Sequence, residues 1–155
     1  MLNSSMLFIQ NETYMKTKQG VYVILTLLML FMGCAKDEPV PQVVQNLVGP
    51  GNRTWRLQEF YINGVPQVLT AEQKNYSKIY KLAEGKTSRG TVFFSDGYVG
   101  DWILVADFEL VETRTLDSLG QKISTAFVIN ELTAFRMDVQ HAINNHVRRE
   151  VYYAN

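Results

Sequence analysis

The chain carries a single thiol, Cys34, and the surroundings of that thiol limit the chemistry open to it. One cysteine cannot close an internal disulfide, and an unpaired thiol in an exported protein is a reactive liability unless it is modified. The residues before it point to export. Val21 to Met32 form an uninterrupted apolar run, preceded by Lys16 and Lys18. The run fits the roughly 7–15 residues of a secretory h-region and falls short of the roughly 20 needed to span a bilayer. Gly33 then puts a small residue directly before Cys34, as a cleavage site requires.

Phe31-Met32-Gly33-Cys34 resembles a lipobox, the recognition site of lipoprotein signal peptidase, with Phe31 where that motif usually carries Leu. The resemblance implies that Cys34 is acylated and becomes the first residue of the mature chain. Several acyl chains would hold the protein durably, since each buried methylene adds about 0.8 kcal/mol. Ala35-Lys36-Asp37-Glu38 resembles the Lys-acidic-acidic export signal of Bacteroidetes-type lipoproteins, which makes Lys36, Asp37 and Glu38 candidates for a surface-display signal. Their other reading is a solvated charge cluster opening a linker. The expected location is the outer membrane, lipid-anchored, with surface and periplasmic orientations both open. Met15-Lys16-Thr17-Lys18 begins a signal peptide of ordinary shape, whereas residues 1–14 add a second apolar patch and no positive charge. Translation is therefore expected to start at Met15, with residues 1–14 a spurious upstream extension.

Other chemical motifs fail on inspection. Gly85-Lys86-Thr87 imitates the end of a phosphate-binding loop, but Tyr80 stands where its first glycine must be and no apolar helix follows. His141 and His146 fall in an expected turn, with no cysteine partner and no HExxH helix, so they read as exposed histidines without a metal. No Gly-x-Ser-x-Gly elbow surrounds any serine. Glu59, Asp101 and Glu112 could approach one another across strands, but their default role is solvation of strand faces. No cofactor is implied, and an enzyme is not expected.

Loss of residues 1–33 would leave 122 residues, enough for one domain. It would remove Lys16, Lys18 and Glu12, leaving 13 basic and 14 acidic residues and a net charge of about −1. No basic stripe survives, so nucleic acid is not an expected partner. Arg148-Arg149 reads as a solvated strand feature. Residues 34–52 contain Pro39, Pro41 and Pro50 and read as the lipidated tether, within which Val43-Val44 and Leu47-Val48 could pack as a helical turn.

Residues 53–155 are a succession of short β-favouring runs. Thr54 to Asn63 changes phase midway, with Trp55 and Leu57 on one face and Phe60 and Ile62 in the other phase, which predicts a bulge near Gln58-Glu59. Asn63-Gly64 and Asp96-Gly97 are turn signals. Thr70 with Gln73 three residues on predicts one short helix opened by a capping box. Further strands are expected over 76–83, 91–95, around Trp102 and Leu104, and over 108–116, 122–129, 132–139 and 146–153. Turns are expected at Asp117 to Gly120, Asn130-Glu131 and His141 to Asn145.

About eight sequential strands joined by short turns predict an all-β antiparallel meander closed into a barrel, with one short helix. A two-sheet sandwich is the competing fold. Thr54-Trp55-Arg56-Leu57, Asn63-Gly64, Phe93-Phe94-Ser95-Asp96-Gly97, Gly100-Asp101-Trp102 and Leu132-Thr133 together resemble the lipocalin-like domains of bacterial surface lipoproteins. In true lipocalins a Gly-x-Trp opens the first strand, whereas here it occurs at Gly100 to Trp102. Expected inner-face residues are Trp55, Leu57, Tyr80, Phe93, Trp102, Leu104, Phe108, Phe127, Phe135, Met137 and Tyr153. Of these, Trp55, Tyr80, Phe93, Trp102, Phe108, Phe127 and Tyr153 are the ligand-binding candidates. So many large side chains could fill an eight-stranded interior outright, or leave a cavity for a small apolar or amphipathic ligand. Two functions follow. One is a non-enzymatic binding module. The other is a scaffold with a packed core, whose loops at 84–90 or near Asn144-Asn145 would contact a surface protein or glycan.

Overall fold

A computed structural model describes residues 38–116 and 120–155; the signal peptide, the lipobox with Cys34, Lys36, Asp37 and the residues 117–119 lie outside the described residues. Glu38 to Asn155 form one compact unit with its own core.

Alternating apolar residues and tight turns produce a meander of antiparallel strands. These are β1 (Thr54–Ile62), β2 (Val65–Gln67), β3 (Ser77–Leu82), β4 (Arg89–Phe94), β5 (Val99–Ala106), β6 (Glu109–Thr115), β7 (Lys122–Leu132), β8 (Arg136–Ile143) and β9 (His146–Ala154). Each of β3 to β8 pairs with the next, β1 pairs with β3, and β1 also pairs with β9. β1 and β3 to β9 thus close an eight-stranded barrel, which removes the sheet edges. The short β2 pairs with the C-terminal part of β1 through Phe60–Gln67, Tyr61–Pro66 and Ile62–Val65. β1 meets β3 only through residues 54–56, plus the Leu57 amide donating to the Tyr76 carbonyl at 3.0 Å. Beyond that point the two strands part, and α2 (Ala71–Lys74) lies beside β1 in the connection. It carries the expected capping box, with reciprocal bonds between Thr70 and Gln73.

The phase change in β1 is a bulge at Gln58, between the Leu57–Tyr152 and Glu59–Val151 pairs. A second bulge falls between Ile129 and Glu131. Asn130-Glu131 is therefore not the expected turn: β7 continues through it to Leu132, and the chain reverses at Thr133 to Phe135, where the Thr133 hydroxyl accepts from the Phe135 and Arg136 amides. The β8–β9 turn is also shorter than expected. Asn144 and Asn145 both adopt left-handed backbone (φ 48° and 63°), so Ile143 pairs directly with His146. Asparagine tolerates that conformation, which lets two residues reverse the chain.

One end of the barrel is closed by α1 (Gln42–Val48), a helix inside the stretch whose prolines suggest a tether. Val44 and Leu47 are fully buried among Trp55, Trp102, Leu104, Leu110 and Met137. The Trp55 indole donates to the Leu47 carbonyl at 2.8 Å, and Asn46 donates to the Leu132 carbonyl at 3.1 Å. The Arg53 guanidinium reaches the Asn46 carbonyl and lies over the Trp55 ring. These bonds satisfy carbonyls at the helix end that would otherwise be orphaned. Gly90 is required for the wall at this level. It pairs with Trp102, and a Cβ there would stand 1.8 Å from the Lys81 carbonyl oxygen, to which the Trp102 indole donates at 3.0 Å.

Candidate functional site

The opposite end of the barrel is open. Ile123 at the start of β7, Ile143 at the end of β8, Arg148 at the start of β9 and Leu116 after β6 border a cavity of about 660 Å³. Leu57, Phe60, Phe94 and Phe127 form apolar walls, and Gln73, Asn75 and Tyr76 enter from the α2 connection. This size lies within the range of about 300–1,000 Å³ typical of small-molecule sites.

Strand alternation delivers charge to the floor of this cavity. Lys78 shares the inner face of β3 with Tyr80, and Glu112 shares that of β6 with Leu110. Lys78 is 2 % exposed and Glu112 6 %. The Lys78 ammonium donates to both Glu112 oxygens at 3.0 Å, and the Tyr80 hydroxyl donates to the same carboxylate. Three rings surround the ammonium, Phe127 at 4.7 Å, Tyr152 at 5.0 Å and Phe94 at 5.9 Å. A desolvated cation against aromatic faces gains about 2 kcal/mol. Burial alone would push Lys78 toward its neutral form, but Glu112 and Glu150 outweigh it and hold the ammonium above its usual value. Lys78 is therefore a fixed cation and a poor nucleophile.

Nearer the mouth, the Tyr152 hydroxyl donates to Glu150 at 2.6 Å. Burial, reinforced by neighbouring carboxylates, raises the Tyr152 and Tyr80 phenols well above their usual values, and burial pushes Tyr76 up to about 12. All three stay neutral donors at physiological pH. His141 meets the Phe127 ring edge-on, with centroids 4.9 Å apart. Its Nδ1 is buried without a hydrogen-bond partner. Burial lowers its pKa, opposed by Glu150 and assisted by Arg148 and Lys78. Arg114 at the lip stacks on Phe94 and Tyr98 and pairs with Asp96 at 2.6 Å.

The aromatic candidates divide three ways. Phe127 lines the cavity, and Tyr80 reaches it through Glu112. Trp55 and Trp102 are buried in the α1 end instead, so they seal the barrel and do not border the cavity. Phe93, Phe108 and Tyr153 are not inner residues. Phe93 faces outward against Lys81, while Phe108 and Tyr153 are 62 % and 39 % exposed. Phe135, expected inside, is 74 % exposed on the β7–β8 turn. The cause is phase: Phe94 and Tyr152 are the inward members of their aromatic doublets. His141 is likewise not an exposed turn residue, since it lies within β8 and faces the cavity. Glu112 is no solvated strand carboxylate, and Arg148 borders the mouth. Asp101, by contrast, is exposed and pairs loosely with Lys122 at 3.8 Å. Glu38 is exposed.

Sequence reasoning passed over Lys78, Glu150 and Tyr152, and read Glu112 as a solvated carboxylate and His141 as an exposed turn residue. A usable signal was present. Leu110-x-Glu112-x-Arg114 and Arg148-x-Glu150-x-Tyr152 keep period 2 with residues of the inner face, so the same alternation that buries Leu110 carries the charges inward.

Outside the barrel, Asp138 forms a separate cluster. It accepts from Arg149 at 2.8 and 2.5 Å, from Arg136 at 2.8 Å and from Asn130 at 3.0 Å. Desolvation would raise its pKa, but the Arg149 and Asn130 hydrogen bonds and the two guanidinium charges together lower it. Because both arginines lie on the outer face, this cluster is a structural brace. Among the described residues, no group of three His, Cys, Asp or Glu side chains could hold a metal ion.

The fold and site define a closed, antiparallel eight-stranded barrel with an open-mouthed cavity, of lipocalin-like architecture. No protein-family model matches the sequence, no curated protein matches it, and no solved structure matches it.

Proposed function

We propose that the protein is a membrane-anchored lipoprotein of lipocalin type that binds a small amphipathic molecule in the barrel mouth without transforming it. The mouth cavity is the observation that carries this reading. It combines apolar walls with a few convergent polar groups, the composition that binding sites use to gain affinity from burial and orientation from hydrogen bonds. The lone Cys34 behind an apolar run supports acylation and anchoring at the outer membrane. Lys78, held charged and engaged by Glu112, offers no free amine nucleophile to a bound molecule.

Native mass spectrometry of the detergent-extracted protein tests the binding claim. A co-purifying small molecule is expected, and Ile123→Trp, which fills the mouth, should abolish it. No bound molecule in the wild type, or one retained by Ile123→Trp, would count against the reading.

A second reading, an interaction scaffold, has one observation of its own. Ile103, Val105 and Val128 are exposed on the outer face of β5 and β7, and Phe108 is exposed on the turn between β5 and β6; Ile103 pairs with Val111 and Glu109 with Val128. Apolar side chains grouped there would suit a surface partner. Crosslinking that captures a partner through this face, with an empty cavity, would favour it.

A further inference from the structure

Only a short piece of chain separates Cys34 from the barrel. Cys34 lies six residues before Val40, a reach of at most about 21 Å when fully extended. Val40 packs against the core, and its carbonyl accepts from the Gln45 side chain of α1 at 2.7 Å, which ties this stretch to the closed end. The mouth is farther away. β7 runs 11 residues from Lys122 at the mouth to Leu132 beside α1, about 28 Å of barrel height at ordinary strand rise and tilt. An acylated Cys34 therefore brings the closed end, and not the mouth, to the bilayer.

The surface of the closed end matches that placement. Among the described residues, Phe108 and Phe135 are the two phenylalanines that folding leaves exposed. Each sits on a hairpin turn, Phe108 between β5 and β6 and Phe135 between β7 and β8. Both turns lie at the α1 end: the Phe108 carbonyl accepts from the Ile129 amide late in β7, and Phe135 follows Leu132, whose carbonyl accepts from Asn46 of α1. The Phe135 carbonyl accepts from the Ala154 amide at 2.9 Å, so both turns are pinned to the wall. Val105 and Val128, also exposed, continue the apolar surface beside Phe108. Turns ordinarily carry small polar residues, so two exposed rings on turns at one end call for cover. Charges of both signs stand around them, Glu84, Lys86, Asp107 and the Glu131–Arg136 pair among them, so the contact is apolar and calls for no anionic lipid.

We infer that the closed end of the barrel docks on the bilayer, with the Phe108 and Phe135 rings inserted among the lipid headgroups and the mouth facing away from the membrane. This rests on the anchoring reading above and adds an orientation to it. Two rings alone would hold a free domain weakly, but a tether this short makes their insertion effectively intramolecular. The cavity then exchanges its ligand with the aqueous side and not with the leaflet that holds the anchor.

The test is nitroxide labelling of the acylated protein on phosphatidylcholine vesicles, where modification of Cys34 leaves an engineered cysteine as the only free thiol. The label is carried by Asp107→Cys, beside Phe108, or by Val147→Cys, exposed near the mouth. Collision of the label with an aqueous nickel chelate should be severalfold lower at 107 on vesicles than in the free residue 38–155 unit, and the same in both at 147. Phe108→Asp combined with Phe135→Asp should restore collision at 107 while the acyl chains keep the protein on the vesicles. Unchanged collision at 107, protection at 147 instead, or protection at 107 that survives the double substitution overturns the inference. So does protection that arises only in native outer-membrane fragments, which assigns the rings to a protein partner. A mature protein whose intact mass shows no acyl chain on Cys34 takes down the anchoring reading, and the orientation with it.

Discussion

Replacing Lys78 by methionine probes the most consequential contact in the barrel. The substitution keeps the length and apolar stem of the side chain and deletes the charge. Glu112, 6 % exposed, would lose its two 3.0 Å bonds and keep only the Tyr80 hydroxyl. Removing one partner of a buried ion pair costs about 3–5 kcal/mol, because the other charge stays buried and uncompensated. For a unit of this size that corresponds to a fall in Tm of roughly 12–20 °C, taking about 4 °C per kcal/mol. The triple variant Lys78→Met, Glu112→Leu, Tyr80→Phe removes every charge and hydroxyl of the network while preserving volume. Its stability should return to within about 1 kcal/mol of wild type or exceed it, since apolar replacement of whole buried pairs is often neutral or stabilising. Urea unfolding followed by tryptophan fluorescence reports both, because Trp55 and Trp102 are buried in the same core. A single variant that loses less than about 1 kcal/mol, or a triple variant as unstable as the single, would refute the argument that an uncompensated carboxylate sets the cost.

Three further outcomes follow from the structure. His141 has a lowered pKa in the fold through burial, so the unfolded chain takes up a proton first as the pH falls through about 6.5, and stability should decline below that pH by at most about 1.4 kcal/mol per unit; chemical unfolding at stepped pH should show the slope flattened in His141→Phe. Trp55→Phe removes the 2.8 Å bond to the Leu47 carbonyl and should cost about 1–2 kcal/mol; limited proteolysis should then cut within residues 38–50 before the barrel. Gly90→Ala places a Cβ 1.8 Å from the Lys81 carbonyl oxygen and should cost upwards of about 2 kcal/mol by thermal unfolding, with Ser88→Ala as the tolerated neighbour.

The barrel was legible in the sequence because its punctuation is local. Asn63-Gly64 and Asp96-Gly97 state their turns, the phase change after Leu57 states its bulge, and Thr70 with Gln73 states its helix. The errors arose where local signals are degenerate. Phe93-Phe94 and Tyr152-Tyr153 present one ring to each face, and alternation within the doublet cannot choose between them. Asn130 has the composition of a turn, yet the ladder continues past it as a bulge. Asn144-Asn145 suffices for a reversal, which left His141 free to remain in β8. The candidate site was less legible, since its chemistry comes from charges buried in pairs. Lys78 and Glu112 are 34 residues apart, and only closure of the barrel brings them together. The closing helix α1 was legible in Val43-Val44 and Leu47-Val48, the alternative to a free tether, and Val44 and Leu47 form its buried face despite the prolines on either side.

The account stands on the open mouth being the place where a ligand binds. Methyl NMR of the residue 38–155 unit, titrated with decylamine, addresses this directly because the two candidate surfaces carry different methyl groups. Binding in the mouth should shift Leu57, Ile123 and Ile143 together and leave Ile103, Val105 and Val128 unmoved. Shifts confined to Ile103, Val105 and Val128, with the mouth methyls unchanged, would contradict it.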